Sequence, residues 1–356
     1  MENTFSLRLM SARKMAGMSL QELADQLGNV VTKQSLNKYE QGKMKPDSGF
    51  VIALSKALSV PVDYFFSKPS LKVELENIDY RKFSTKISKT DQYAIEEKSK
   101  ALFERYFELE DLLQLEDKPE YFEYDEIIED AEGAEEAAKQ LRKSWKLGYD
   151  PIPDVVETLE DKGYRVIELD TPDGFDGMRA DAAAGRKVIV LKKNDRNDDV
   201  VRKRFTALHE LAHHGLKFSE KLTEKELETL CHVFASAVLY PEDTARKELH
   251  KERFHFYQNE LIIIKERWGL SFAAIFSRSL RLGVINDYVY RRLNVGYRER
   301  KLHLDEPGRF FSKEKPVRFE RLIYLGLAKE VLSVNDAAYF AGMTVAEFRE
   351  QLLQIA

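Results

Sequence analysis

The sequence predicts a mainly α-helical protein with a small β-sheet, an α+β chain divided into several domains. Three observations carry that expectation. Apolar residues recur at helical spacing over most of the chain, with capping and stop signals at the segment ends. Runs with strand character are confined to one stretch, RVIEL at 165–169, the neighbourhood of Gly177 to Arg179, and KVIVL at 187–191. The length, 356 residues, exceeds what one ordinary core organises. Composition narrows the class: 43% hydrophobic and 33% charged residues describe a folded globular chain, not a disordered one. Cys231 is the only cysteine, so no intrachain disulfide forms and a reducing cytoplasm is the expected compartment. The longest aliphatic cluster, Leu261 to Ile264, runs into Lys265 and Glu266, and MENTFSLRLM lacks the pattern of a secretion signal; no membrane role is expected.

Residues 1–68 read as a set of short helices. Leu7, Met10 and Met15 begin the apolar pattern, Ser19 with Glu22 forms a capping box, and Gly28 stops the second helix. Thr32 caps a third, TKQSLNKYEQGK, with Leu36 and Tyr39 inward and Lys33, Gln34, Asn37 and Lys38 outward. Gln and Asn pair bidentately with adenine and Lys reaches guanine or phosphate, so this helix suits a major groove. Thr32, Lys33, Gln34, Asn37, Lys38 and Lys43 are the candidate DNA-contacting residues, with Lys45 near the backbone. The module is mildly basic, nine Lys and Arg against six Asp and Glu. A helical protein-interaction module without DNA affinity is the alternative, because affinity leans on phosphate contacts. SLQELADQLG, TKQSLNKYEQGK, KPD and SVPVDYFF together resemble the phage-repressor-type (XRE/Cro-like) helix-turn-helix family over residues 5–66. That resemblance implies sequence-specific binding of double-stranded operator DNA, normally as a homodimer, with the recognition helix starting at Thr32. The turn GNVV is about two residues longer than usual in that family, and Leu20 stands where a polar phosphate-contacting residue is common.

Residues 69–126 form a connecting region. Its first part, KPSLKVELENIDYRKFSTKISKT, suggests an extended segment able to pair, and a helix follows over 91–115. Between Glu104 and Glu136 stand fifteen acidic and two basic residues. Leu109, Leu112 and Leu113 interleave at helical spacing, so the run packs on one side; a charge pattern of this kind is either a solvated face or a mimic of DNA that docks on a basic surface.

A third unit is expected over 127–245. AEGAEEAAKQLRKSWKLG is an amphipathic helix ended by Gly148, and PIPDVVETLEDKGY another, starting at Pro151 or Pro153 and ended by Gly163. After the strands comes FTALHELAHH, which puts His209 and His213 four residues apart with Glu210 after the first. On a helix, i and i+4 share a face, so two imidazoles there can bind one Zn²⁺ while the neighbouring Glu acts on water. Asp198 or Asp199 can cap this helix, Val201, Phe205, Leu208 and Ala212 form its buried stripe, and Gly215 ends it. Satisfied core or surface histidines are the alternative. Catalytic zinc needs a third protein ligand. In the next helix Thr223 and Glu226 form a capping box, Leu227, Leu230, Phe234 and Val238 are the buried stripe, and Glu228 and His232 fall on its flank. Glu228 is the first choice as third ligand, with His232 the alternative or a partner of a ligand; Cys231 reads as a small buried residue. No oxyanion donor is identifiable by motif; Tyr240 and Arg179 are the nearest guesses.

LRKSWKLGYDPIPDVVETLEDKGYRVIEL, FDGMRA, KVIVL, RFTALHELAHH and ELETLCHVFASAVLYP, in that order, resemble the ImmA/IrrE family of zinc metallo-endopeptidases over residues 127–245. The resemblance implies a zincin-like domain acting on protein regulators, with His209 and His213 as zinc ligands, Glu210 as the catalytic carboxylate and Glu228 as the third ligand. Many members carry that acidic residue where this chain has Leu230, and a glycine where it has Ala212.

Residues 246–356 read as a helical C-terminal region. WGLSFAAIFSRSLRLGVI and LSVNDAAYFAGMTVAEFREQLL are each two helices around a Gly-centred turn, units used for packing more often than for DNA. Residues 278–321 hold twelve basic and six acidic side chains, a face that can meet nucleic acid or cover the acidic run. The expected function is a transcriptional regulator with a zinc-dependent endopeptidase that cleaves a partner repressor or toxin, or itself. The alternative is a non-proteolytic repressor or antitoxin of a toxin-antitoxin or mobile-element operon, whose metal domain senses or binds a partner.

Overall fold

A computed structural model of the chain describes residues 4–66, 73–78, 87–115, 118–193 and 199–353. The mainly helical architecture with little sheet is as expected. Four helices open it, α1 (Thr4–Met15), α2 (Leu20–Gln26), α3 (Lys33–Glu40) and α4 (Ser48–Leu58). Ser19 and Glu22 make the capping box, and the Thr32 hydroxyl accepts from the Ser35 amide. Their shared core is Phe5, Leu9, Leu23, Leu36, Leu54 and Phe65. One register differs from expectation: α1 buries Phe5, Leu9 and Ala12, and Leu7 is exposed. The apolar pattern begins at Phe5.

The long helix α5 (Lys89–Leu112) starts at a Ser88 cap, two residues before the expected start. It receives α1 along a polar seam: Arg8 pairs with Glu104 at 2.9 Å, and the Ser11 hydroxyl donates to Glu97 at 2.9 Å. Most of the KPSLKVELENIDYRKFSTKISKT stretch lies outside the described residues, but 73–78 is described and does pair, as discussed below.

Next come β1 (Ile127–Ile128), α6 (Ala131–Ser144), α7 (Val155–Asp161), β2 (Arg165–Leu169), β3 (Gly177–Ala182), β4 (Arg186–Lys192), α8 (Asp199–Gly215), β5 (Lys217–Phe218) and α9 (Glu224–Leu239). Helix α7 does not start at a proline: the Asp154 side chain caps it from outside, accepting from the Glu157 amide, so Pro153 ends one residue before the cap. Helix α6 ends at Ser144, and Gly148 takes its positive φ in the turn beyond. Of the proposed caps of α8, Asp198 lies outside the described residues and the side chain of Asp199 is not described. Gly215 does not end that helix by left-handed backbone; a Cβ there would lie 2.7 Å from the Phe122 carbonyl oxygen, so glycine permits a close approach. The Tyr124 amide donates to the Gly215 carbonyl in the same contact.

The sheet is ordered β2-β4-β3, with β2 parallel and β3 antiparallel to the buried central β4. Alternation splits its two faces. Val166, Ile189 and Leu191 join the core with α6, α8 and α9. Ile167, Met178, Ala180, Val188 and Val190 face a second core made with Phe103, Tyr106 and Phe107 of α5.

The chain continues as α10 (Glu242–Leu249), α11 (Gln258–Trp268), α12 (Phe272–Arg281), α13 (Asp287–Glu299), α14 (Arg318–Ala328), α15 (Val334–Ala341) and α16 (Val345–Leu353). Leu261, Trp268 and Ile275 of α11 and α12 enter the core of α8 and α9. Leu322, Phe340 and Phe348 of α14–α16 enter the core under the sheet. Both Gly-centred helix pairs are thus packing units. No helix among the described residues is long and apolar enough to cross a membrane.

Part of the acidic run is engaged inside the fold. Glu104 pairs with Arg8, Glu110 with Arg165 and Arg318, Glu120 with Lys162, Glu123 with Lys187, and Glu135 with Arg278. Two of those partners come from residues 278–321; the others are dispersed through the fold.

Carboxylates also fasten the chain before α14 onto α7. Glu160 accepts from the Val317 and Arg318 amides, both at 3.0 Å. Glu314, fully buried with Arg204 at 3.2 Å, accepts from the Val155 and Val156 amides. Burial pushes the Glu160 carboxyl up to about 7 from an ordinary 4.5. A folded-state pKa above the unfolded one favours the protonated fold. Its contribution is complete below about pH 4.5 and is lost as pH rises through about 7, a change of roughly 3 kcal/mol at about 1.4 kcal/mol per unit. Glu160→Gln keeps the acceptor and cannot ionise, so its urea midpoint is expected to fall less than wild type between pH 5 and 8. Parallel pH profiles would refute that assignment.

Candidate metal centre

Helix α8 carries His209, Glu210 and His213 because its stripe Ala207, Leu208, Leu211 and Ala212 is held in the core, which fixes the rotation of the remaining positions. Helix α9 is anchored in the same way. Thr223 and Glu226 form its capping box, and Leu230, Phe234 and Val238 are buried, which turns Glu228 toward α8. The Glu228 carboxylate reaches both imidazoles, Oε2 at 3.1 Å from His209 Nε2 and Oε1 at 3.1 Å from His213 Nε2. The two Nε2 atoms are 3.2 Å apart. Among the described residues this is the one group of three His, Cys, Asp or Glu side chains arranged to hold an ion.

The donor set fits zinc on its own dimensions. Ligands about 2.0 Å from a tetrahedral ion lie about 3.3 Å from one another, close to the three separations found here. His209 and His213 are almost fully buried, while a quarter of the Glu228 side chain meets solvent, so the centre is approached from the α9 side. Two imidazoles, a carboxylate and an open side are the donor set that a catalytic zinc site uses.

Glu210 is 2% exposed and does not belong to the converging trio. Its position follows from helix geometry: it shares a face with His214, four residues on, and His214 faces the sheet. The His214 Nε2 lies 3.1 Å from the Val188 carbonyl oxygen of β4, and its Nδ1 lies 3.6 Å from Asp181 of β3. Burial pushes the His214 imidazole down to about 4. It stays neutral at physiological pH, so it adds no positive charge beside His213, its neighbour on α8. By that geometry Glu210 lies on the side of α8 between His209 and His213 and the strand β3.

The other sequence candidates fall around the trio. His232 packs its ring against that of His209 in a tilted pair, centroids 4.7 Å apart, and is not one of the converging groups; the Phe205 ring also lies against it, 5.7 Å away. Tyr240 is no oxyanion donor: its hydroxyl donates to Glu248 at 2.9 Å and its ring packs on Trp268. Arg179 lies on β3 beside Asp181. Cys231, assigned by sequence to plain packing, has its sulfur 3.8 Å from His213 Nδ1. With an ion on His213 Nε2, Nδ1 would carry the proton and donate to the sulfur, so Cys231 is placed to orient the ring. The three-residue offset from Glu228 to Cys231, one helical turn, is the sequence signal that was available for this role.

In the N-terminal unit, Lys33, Gln34, Asn37 and Lys38 are all exposed on one side of α3, while Leu36 and Tyr39 enter the core. Thr32 spends its hydroxyl on the cap, and Lys43 stands exposed just past the helix.

Two family models match separate stretches of the chain. Residues 9–65 match the family model described as helix-turn-helix, and residues 159–279 match the one described as IrrE N-terminal-like domain. The second match spans β2 to α12 and includes the whole trio. The chain is similar to the SPbeta prophage-derived uncharacterized HTH-type transcriptional regulator YonR of Bacillus subtilis (strain 168), 36% identical over 74 residues, 21% of this chain and 67% of that protein.

Proposed function

Because the chain belongs to the helix-turn-helix transcriptional regulators and carries a peptidase-like IrrE N-terminal-like domain, we propose that it couples operator binding to zinc-dependent cleavage of a protein. The substrate class is a protein regulator: a partner repressor, a toxin, or this chain itself. The observation that carries the reading is the mutual 3.1–3.2 Å spacing of His209, His213 and Glu228, with Glu210 beside it. A zinc ion held there would polarise a peptide carbonyl and acidify a water. His209 and His213 supply neutral nitrogen donors, and Glu228 supplies the charge that offsets the ion. Glu210 takes the proton from water and hands it to the leaving amine, a transfer that its buried position beside the trio favours. Cys231 and His232 hold the two rings in place.

For the DNA module the reading is operator binding as a homodimer through α3. Asn37 and Gln34 read bases, and Lys33, Lys38 and Lys43 meet phosphate or guanine. Asn37→Ala is expected to weaken operator binding by about 10- to 100-fold and to relax one base position, the scale of a bidentate contact. Lys43→Ala should weaken all sequences alike and lower the salt slope by about one. Gel-shift titrations over a salt series separate the two, and equal, salt-independent losses would sink the assignment.

The test of the enzyme reading is incubation of the zinc-loaded chain with co-expressed neighbouring regulators, followed by mass spectrometry. Cleavage supports the proposal. Zinc binding with no cleavage in any such mixture would favour the non-proteolytic repressor or antitoxin.

A further inference from the structure

Strand β3 is an edge of the sheet, and an edge strand offers unpaired amides and carbonyls that template an extended chain. One place on that edge is taken by the segment that follows the helix-turn-helix unit. The Glu76 amide donates to the Asp181 carbonyl at 2.8 Å, and the Asp181 amide donates back to the Glu76 carbonyl at 3.0 Å, an antiparallel bridge. The segment is anchored on both faces of the sheet. Val73 is 3% exposed in the core beneath it, and Asn77 donates to Asp181 Oδ2 at 2.8 Å on the α8 side. The other oxygen of that carboxylate is the one 3.6 Å from His214, next in sequence to the ligand His213. By strand alternation, the backbone groups of Gly177 and Arg179 face the same outer side as those of Asp181. Gly177 lies against Thr206 of α8, so the edge runs alongside the ligand helix.

We propose that residues 73–78 are an intramolecular strap that holds the β3 edge against an extended protein segment, so that such a segment gains the metal centre only by displacing it. This rests on the peptidase reading above and adds its regulation. The strap directly follows the DNA-binding unit in the chain, so a substrate that displaces it acts on the connection to that unit.

The test uses the full chain in a Glu210→Gln background, which separates binding from cleavage. Glu76→Pro removes the donor amide of the bridge. Fluorescein-labelled β-casein, an unstructured protein, is the probe. Expected results are about tenfold tighter casein binding by anisotropy and about tenfold faster hydrogen exchange at the Asp181 amide, the scale of losing one backbone hydrogen bond and loosening its reciprocal partner. Glu76→Ala keeps the amide and should bind as the parent does. Asn77→Ala, which loses one side-chain bond, should tighten binding by a smaller factor and covers the case in which the proline variant misfolds. Casein binding that is equal with and without the proline, or an equal gain in Glu76→Ala, overturns the strap. Tighter casein binding by Glu76→Pro, with no casein cleavage when Glu210 is restored, removes the peptidase reading and leaves the strap standing.

Discussion

Glu210→Gln is expected to hold zinc as wild type does and to lose proteolysis by about 10²–10⁴-fold, the usual worth of a positioned general base. Retention follows from the geometry, since the atoms that converge belong to His209, His213 and Glu228 and not to Glu210. Glutamine matches glutamate in shape and fits the same buried place, so the loss reports proton transfer and not packing. His213→Ala and Glu228→Ala should each lose zinc as well as activity. Elemental analysis of gel-filtered protein reads the metal, and cleavage of a co-expressed regulator reads the chemistry. Zinc lost from Glu210→Gln would place that residue among the ligands and overturn its role. Zinc absent from folded wild type would overturn the centre itself.

Glu135→Ala is expected to lower stability by about 3–5 kcal/mol, the cost of leaving a buried charge without its partner. Glu135 on α6 pairs with Arg278 on α12, and Arg278 is 1% exposed, its Nε donating to the Tyr240 carbonyl at 3.0 Å. This interaction ties α6, the end of α9 and α12 into one frame, and α9 is the helix that presents Glu228. Urea unfolding should show the loss, with weakened zinc retention following it. Replacing both partners by apolar residues, Glu135→Leu with Arg278→Met, should recover much of the stability, because no charge is then stranded. A loss under about 1 kcal/mol in the single variant would show that solvent reaches the guanidinium and that the frame does not depend on the pair.

Some of this was legible in the residues. Helix spacing is local, fixed by 3.6 residues per turn, so His209 and His213 on one face and Lys33, Gln34, Asn37 and Lys38 on another could be read directly. The capping boxes at Ser19 and Thr223 are equally local, each a contact three residues long. The α1 register and the start of α7 were misjudged because apolar spacing and proline preference only bracket a helix end, while the cap side chain decides it. Which carboxylates of the acidic run find cationic partners is not legible in the sequence, because composition reports charge and not contacts.

By itself, then, the sequence determined the helices, the three short strands of the sheet, the pair of histidines and the two family resemblances, all of which depend on residues near one another in the chain. The tertiary structure alone decided that Glu228 and not His232 completes the trio, that Cys231 touches His213, that Glu104, Glu110 and Glu135 pair with distant arginines, and that Glu76 bridges to β3. Those contacts join segments as far as 208 residues apart in sequence, brought together by packing of whole helix faces and sheet edges, which pattern within a window does not encode.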